Sequence, residues 1–455
     1  MAQSEHSDPA YPSSAWAWYT VAVLLCAYIF SFIDRQILNL LVAPVRRDLG
    51  ITDTEMSLLI GFSFALFYSV LGLPFGRLAD SVNRPRLIFA GMLTWSLMTG
   101  GCGLVNSYWQ LFLFRMGVGI GEATLSPAAY SMISDSFPPA RRSVPFSVYT
   151  MATYVGGGFA FLFGGLLLRS FGTREMFHLP LVGAVRPWQT LFLLLGVSGV
   201  LFVLVLLTLR DPARKGARFV ETVPGKTKVE RVPLKEVWKY FAHSRITLVA
   251  LILGMALEAM AAYGSSAWVV TFLVRNHHMT ASQAGIQFGL AQIFSGAMGM
   301  LAAGKLVAWL MKRGHRDAYM RVAVFSLAAW FVPAILFPIL PDTAATVGLI
   351  YIATFFLCMP TCLIPAAIQE LVPNAMRGQA IAVYLLIVNL IGLGAGPTAI
   401  ALVTDHVFGF DAAIRYSLLI VTVAACLLAE LLFLIGLRSY NPSLDRLHLW
   451  LKQNL

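Results

Sequence analysis

Six charged side chains stand deep inside long apolar runs: Asp34, Arg35, Arg115, Glu122, Glu258 and Glu430. A charge at the centre of a bilayer costs about 2.5–3.5 kcal/mol on insertion scales, so each needs a partner or a task. Asp34 and Arg35 are neighbours in sequence, about 100° apart around a helix, and cannot both face one partner. Arg115 and Glu122 lie two helical turns apart along one face. Set against each other, the two pairs hold two charges of each sign. That cluster is neutral overall, which permits burial. Its chemistry is the exchange of a proton for an anion. Desolvation favours the protonated acid and a nearby Arg favours the carboxylate, so moving an Arg between a carboxylate and an anionic ligand trades one for the other. Glu122 and Asp34 are the expected titrating groups. Arg35, then Arg115, are the expected ligands of that anion, because a guanidinium fork donates to a carboxylate or phosphate in bidentate fashion. The alternative is a set of paired ions that only holds helices together. Glu258 is the acidic candidate of the second half for ligand binding, with a hydrogen bond to a neighbouring helix as its alternative. Glu430 is expected to be structural.

The elements carrying these residues must be membrane spans. The chain of 455 residues is 58% hydrophobic and only 12% charged, against about 25% charged in a soluble domain. That composition excludes a soluble enzyme, a disordered chain and a nucleic-acid binder. Apolar runs of bilayer-crossing length are placed near 17–43, 55–80, 86–105, 109–134, 143–169 and 188–209. After a polar stretch, six more fall near 244–275, 283–311, 319–340, 343–371, 376–404 and 412–437. The expected organisation is an N-terminal six-helix bundle (1–209), a linker (210–243), a C-terminal six-helix bundle (244–440) and a tail (441–455). Most of the 33 Lys and Arg residues fall on the termini and the even-numbered loops, which puts both termini in the cytoplasm by the positive-inside rule. Residues before Trp16 contain no Lys or Arg, so the first run is expected to be a span and not a secretory signal. The linker is too polar to cross and too basic to ignore the anionic inner leaflet. The tail, RLHLWLKQNL, is expected on the membrane surface. All five cysteines sit in apolar runs, so neither a disulfide framework nor a metal site is expected.

The two halves repeat. At an offset of 228, Gly61, Gly76, Arg77 and Leu78 fall on Gly289, Gly304, Lys305 and Leu306. At an offset of 235, Asp135, Pro138, Arg142, Val148 and Tyr149 fall on Glu370, Pro373, Arg377, Val383 and Tyr384. Copies six spans apart share a membrane orientation, the parallel repeat of a two-bundle transporter whose site lies between the halves. Gly117–Gly121 and Gly156–Gly158 read as close helix packing. The pair His277-His278 is expected in solvent on an outer loop.

The loop Gly76-Arg77-Leu78-Ala79-Asp80-Ser81-Val82-Asn83-Arg84-Pro85-Arg86 resembles the signature of the major facilitator superfamily, with Ser81 where a basic residue is usual. Its repeat copy, Gly304 to Arg313, has Ala308 in place of the acid. Arg115-Met116-Gly117-Val118-Gly119-Ile120-Gly121-Glu122-Ala123 is similar to the superfamily's span-four motif. Together with Phe32-Ile33-Asp34-Arg35-Gln36 and Arg141-Arg142-Ser143 it is most similar to the Spinster family. The resemblance implies an all-α fold of twelve transmembrane helices in two six-helix bundles, with spans one and four lining a central cavity. It implies a cytoplasmic gate of Gly76, Asp80, Arg84, Asp135, Arg142, Glu370 and Arg377, closed when the protein faces outward. Tyr68, Tyr149, Met151, Tyr154, Trp268, Phe272, Met359 and Tyr384 fall in spans that line such a cavity. Of these, Tyr149, Met151, Tyr154 and Trp268 join Glu258 as expected substrate contacts.

The implied activity is secondary transport of a lysophospholipid or sphingoid-type anion by alternating access, coupled to H+, without cofactor, metal or nucleic acid. The chain is expected to act as a monomer in a plasma or bacterial inner membrane. The alternatives are a carrier of a small organic anion or drug-like solute, and a lipid scramblase or non-transporting sensor. No nucleotide-phosphate loop is present, which argues against ATP-driven transport.

Overall fold

The computed structural model describes residues 11–138, 141–172, 176–179, 182–214, 219–223, 226–229, 245–373 and 376–454. Ten helices within these residues are long and apolar enough to cross a membrane. They are span 1 (Ser14–Leu40), span 2 (Asp53–Ala79), span 5 (Val144–Phe171), span 6 (Pro187–Leu206), span 7 (Arg245–His277), span 8 (Ala281–Lys312), span 9 (Ala318–Leu336), span 10 (Thr343–Leu371), span 11 (Arg377–Phe408) and span 12 (Asp411–Leu447). Two further helical segments complete twelve: span 3 (Arg84–Cys102), which opens on two Arg residues, and span 4, split into Tyr108–Glu122 and Leu125–Ser136. Pro127 explains the split, because it has no N–H to return to the carbonyl four residues back. Span 10 breaks in the same way, at Cys358 before Pro360.

Two pieces differ from the sequence reading. The helix of span 12 does not stop near 437 but runs on as Ile414–Asn454. Tyr440, Leu444 and Leu447 are buried in the core of the second half, so the start of the tail packs on protein. Within the polar linker, Phe219–Val223 and Lys226–Val229 pair as an antiparallel hairpin; the rest of 215–244 lies outside the described residues.

The repeat seen in sequence has a structural counterpart. Arg142 Nε donates to the carbonyl of Phe137 (2.9 Å) and Arg377 Nε to that of Val372 (3.3 Å). Both acceptors are extended residues that end a helix, so each Arg satisfies an orphan carbonyl at the same turn of its half. Gly61 and Gly289 are likewise matched. A Cβ at Gly61 would overlap the carbonyl oxygen of Leu393 in span 11, and one at Gly289 would sit 2.7 Å from the carbonyl oxygen of Gly158 in span 5. At both, helices of opposite halves touch backbone to backbone. Each lies in or beside a π-turn, Leu58–Phe62 or Ala291–Gly296.

Three apolar cores divide the molecule. One is made only of residues from Leu248 onward, and one, Leu393 apart, of buried residues up to Leu209. The third is shared: Ile37, Leu40, Leu59 and Phe161 pack with Trp268, Phe272, Phe288 and Ile400. The shared core sits at the end of span 1 remote from the N-terminus. The halves therefore close on each other at the face opposite the termini and keep separate cores toward the terminal face. Overpacking such a contact costs about 1–3 kcal/mol, and each 1.4 kcal/mol is tenfold in a population. Gly289→Val is therefore expected to raise thiol-labelling rates at the opposite face at least about tenfold, with the helical content unchanged by circular dichroism.

Candidate functional site

Span 1 turns Asp34 and Arg35 in different directions. Arg35 Nη2 pairs with Glu122 Oε2 of span 4 at 2.8 Å, and Ser31 Oγ, one turn earlier on span 1, donates to the same oxygen at 2.5 Å. The Arg35 guanidinium lies over three rings, Phe32, Phe64 and Tyr68, at 4.7, 4.5 and 4.7 Å from their centroids. Arg35 is 4% exposed and Glu122 1%. A charge this buried is tolerated because the carboxylate neutralises it and the ring faces stabilise a cation.

Arg115 does not pair with the Asp34 carboxylate. Its Nη1 donates to the Asp34 backbone carbonyl (3.0 Å) and its Nε to that of Leu59 (3.3 Å). The Asp34 side chain instead points toward Trp95 and Thr99 of span 3. The four charges are thus gathered around spans 1 and 4 with one direct ion pair among them. Among the described residues Arg35 Nε, Asp34 Oδ1, Arg115 Nη2 and Glu122 Oε1 have no hydrogen-bond partner. The site holds two donors and two acceptors in reserve.

The other expected contacts scatter. Tyr149 is buried and stacks on Tyr28 of span 1 at 4.7 Å. Met151 is exposed, at the kink between the two pieces of span 5. Tyr154 crosses between the halves, its hydroxyl donating to Thr361 Oγ1 of span 10 at 3.2 Å. Trp268 is placed in the shared core, its indole N–H on the Pro397 carbonyl (2.9 Å), so it serves packing and not the lining. Glu258 is fully buried behind the lining. His277 is not free in solvent: its ring meets Phe272 edge-on and its Nδ1 lies 3.3 Å from Thr343 Oγ1.

At the terminal face, Arg84 is a fully buried hub. It binds Asp135 (2.5 Å), Asp211 (2.6 Å) and the Pro212 carbonyl (2.5 Å), all within the first half and the start of the linker. Arg214 closes the C-terminus of span 2 by donating to the carbonyls of Ala79, Asp80 and Val82. Glu370 accepts from Tyr440 at 2.6 Å, within the second half. Gly76 comes no nearer a neighbour than the Pro127 side chain, and the Asp80 backbone carbonyl is one of the groups Arg214 holds.

The opposite face carries an ion network that sequence reasoning missed. Asp53, at the first turn of span 2, is bound by Arg275 of span 7 at 2.6 and 2.8 Å and by Arg46 at 3.1 Å. Arg46 continues to Asp411 of span 12 at 3.1 Å. The backbone N–H and hydroxyl of Thr54 both donate to Asp405 of span 11 at 2.7 Å, so a carboxylate of one half caps a helix of the other. The signal was present in sequence: Arg46 and Arg275 are basic residues on the side that holds few of them.

A helical membrane protein of two matched halves latched at one face, with an ion pair buried in the first half, has the fold and site of a transporter. The chain belongs to the Major Facilitator Superfamily, whose family model matches residues 24–397. It is 31% identical over 407 residues to an MFS-type efflux pump of Mycolicibacterium smegmatis, covering 88% of this chain and 87% of that protein. It is 26% identical over 351 residues to a probable L-galactonate transporter of Escherichia coli, covering 75% and 73%. A solved bacterial homolog to the human lysosomal transporter Spinster, in an inward-facing and unoccupied conformation, superposes with a TM-score of 0.77 at 26% identity, covering 95% of this chain and 99% of that one. Within the superfamily the chain resembles Spinster.

Proposed function

We propose that this transporter moves an amphipathic anion of the lysophospholipid or sphingoid type and exchanges it against protons. The observation that carries this reading is the Arg35–Glu122 pair beneath Phe32, Phe64 and Tyr68. An anionic head group that takes the place of the Glu122 carboxylate on Arg35 keeps the cation neutralised, and the rings receive the apolar part. Protonation of Glu122 releases Arg35 for this exchange; deprotonation restores the pair and expels the anion. Asp34 is the second titrating group, and Arg115, with Nη2 in reserve, the second head-group ligand. Tyr149, Met151 and Tyr154 border the route. With both termini cytoplasmic, in a plasma or bacterial inner membrane, the present state faces inward. Asp80, Arg84, Asp135, Arg142, Glu370 and Arg377 then form the cytoplasmic gate of the opposite state, acting in a monomer.

A second reading, a small organic anion as cargo, draws on the name of the galactonate-transporter relative. Counterflow separates the two. Uptake of labelled lysophospholipid into preloaded proteoliposomes is expected to fall with excess unlabelled lysophospholipid and to be indifferent to galactonate. Competition by galactonate, or galactonate uptake itself, selects the second reading.

A further inference from the structure

Glu258 lies in the middle of span 7 and is 0% exposed. Among the described residues neither of its carboxyl oxygens has a hydrogen-bond partner. Among the described residues the titratable groups in electrostatic reach of it are Tyr154 of span 5, Tyr263 of span 7, Cys358 of span 10, Tyr384 of span 11 and Cys426 of span 12. No cation stands among them. An ionised carboxylate buried without a hydrogen-bond partner is one of the most expensive groups a protein interior can hold. As a neutral acid it is tolerated, and a group that makes no bonds in one state is stabilised only by bonds made in another.

The bond that would change is nearby. Tyr154 belongs to the first half, and its hydroxyl bridges to Thr361 of the second, where rocking of the halves must break it. Gly296 of span 8, beside which a Cβ would meet the Tyr154 ring and Cys358, leaves the room for that ring in the present state. Movement of span 5 therefore withdraws Tyr154 from the Glu258 pocket.

We propose that Glu258 is a third proton-carrying group, separate from the Arg35–Glu122 pair and from Asp34, protonated in the present state and discharged when the halves rock and Tyr154 leaves. In the discharge the carboxyl O–H bond breaks, the proton passes to water admitted at the vacated place, and the carboxylate is held by that water and the Tyr384 hydroxyl. This extends the proton coupling proposed above from one half of the molecule to both, and rests on that reading for its part in transport.

The test is infrared difference spectroscopy of the full-length protein in detergent at pH 7, with H2O/D2O exchange. A protonated-carboxyl C=O band is expected in the wild type and in Glu122→Gln, and is expected to vanish in Glu258→Gln. Glu258→Asp, which keeps the acid and shortens it, is expected to shift the band, and serves where the Gln variant does not fold. In proteoliposomes the protons moved per substrate are expected to fall by about a third in Glu258→Gln. A spectrum without a carboxyl band that depends on Glu258 overturns the inference whatever the flux. A band present in wild type with an unchanged proton ratio in Glu258→Gln overturns the carrying role. Loss of gradient coupling in Glu122→Gln bears on the proposed function alone.

Discussion

Arg35→Ala is expected to abolish gradient-driven transport, by at least about a hundredfold, while the protein still folds. Removing one partner of a buried ion pair costs about 3–5 kcal/mol when the other charge must stay ionised. Glu122 has a way out, because it can take up a proton and keep its hydrogen bond with Ser31. The stability loss is therefore expected to be smaller than that range, and to disappear in the double variant Arg35→Ala/Glu122→Gln, where no unpaired charge remains. Transport is expected to stay lost in the double variant, since the head-group ligand is gone. Thermal melts of the four members of that cycle, set beside their flux, separate an ion pair that only holds helices from one that exchanges ligand. Arg35→Lys keeps the charge but loses the fork, and an intermediate loss of about tenfold is expected.

Asp53→Asn is expected to release the face opposite the termini. Asp53 is fully buried and ties Arg46 of its own half to Arg275 of the other, while Asp411 joins the same two cations from the far side. Arg46 and Arg275 are partly exposed, so a share of the loss is screened by water. A net weakening of about 2–3 kcal/mol remains, less than the full penalty of breaking a buried pair. The ties exist only while this face is closed, so the loss weighs on the conformational equilibrium more than on folding. At 1.4 kcal/mol per factor of ten, the share of molecules open at that face is expected to rise about thirty- to a hundredfold. Spin-label distances between the loop after span 1 and the loop before span 12 read this directly. A distance distribution identical to wild type would show that the shared apolar core closes this face without the ions.

The spans were legible because bilayer thickness forces long apolar runs, and the repeat because Gly61 and Gly289 stand where backbones of opposite halves meet. The divergence of Asp34 and Arg35 followed from helix geometry alone. What was not legible depended on which residues of distant segments share a level of the membrane. Asp53 and Arg275 are 222 residues apart and Arg275 and Asp411 136, and their meeting is a property of the closed state. Arg115 carried a charge that invited pairing with the Asp34 carboxylate, yet it satisfies two backbone carbonyls instead. Trp268 matched a lining position by span, but one hydrogen bond to Pro397 turns it into the core. The continuation of span 12 beyond 437 was hidden by its polar residues, which a packed helix can turn outward while Tyr440, Leu444 and Leu447 face protein.

The most direct measurement is pH-gradient-driven flux of a labelled lysophospholipid in proteoliposomes, wild type beside Glu122→Gln and Arg35→Ala. Flux that follows the gradient in wild type, loses that dependence in Glu122→Gln and falls to background in Arg35→Ala is the expected result. Lipid exchange that proceeds at full rate without a gradient and is untouched by either substitution would contradict a proton-for-anion exchange at the Arg35–Glu122 pair, and would mark the protein as a scramblase.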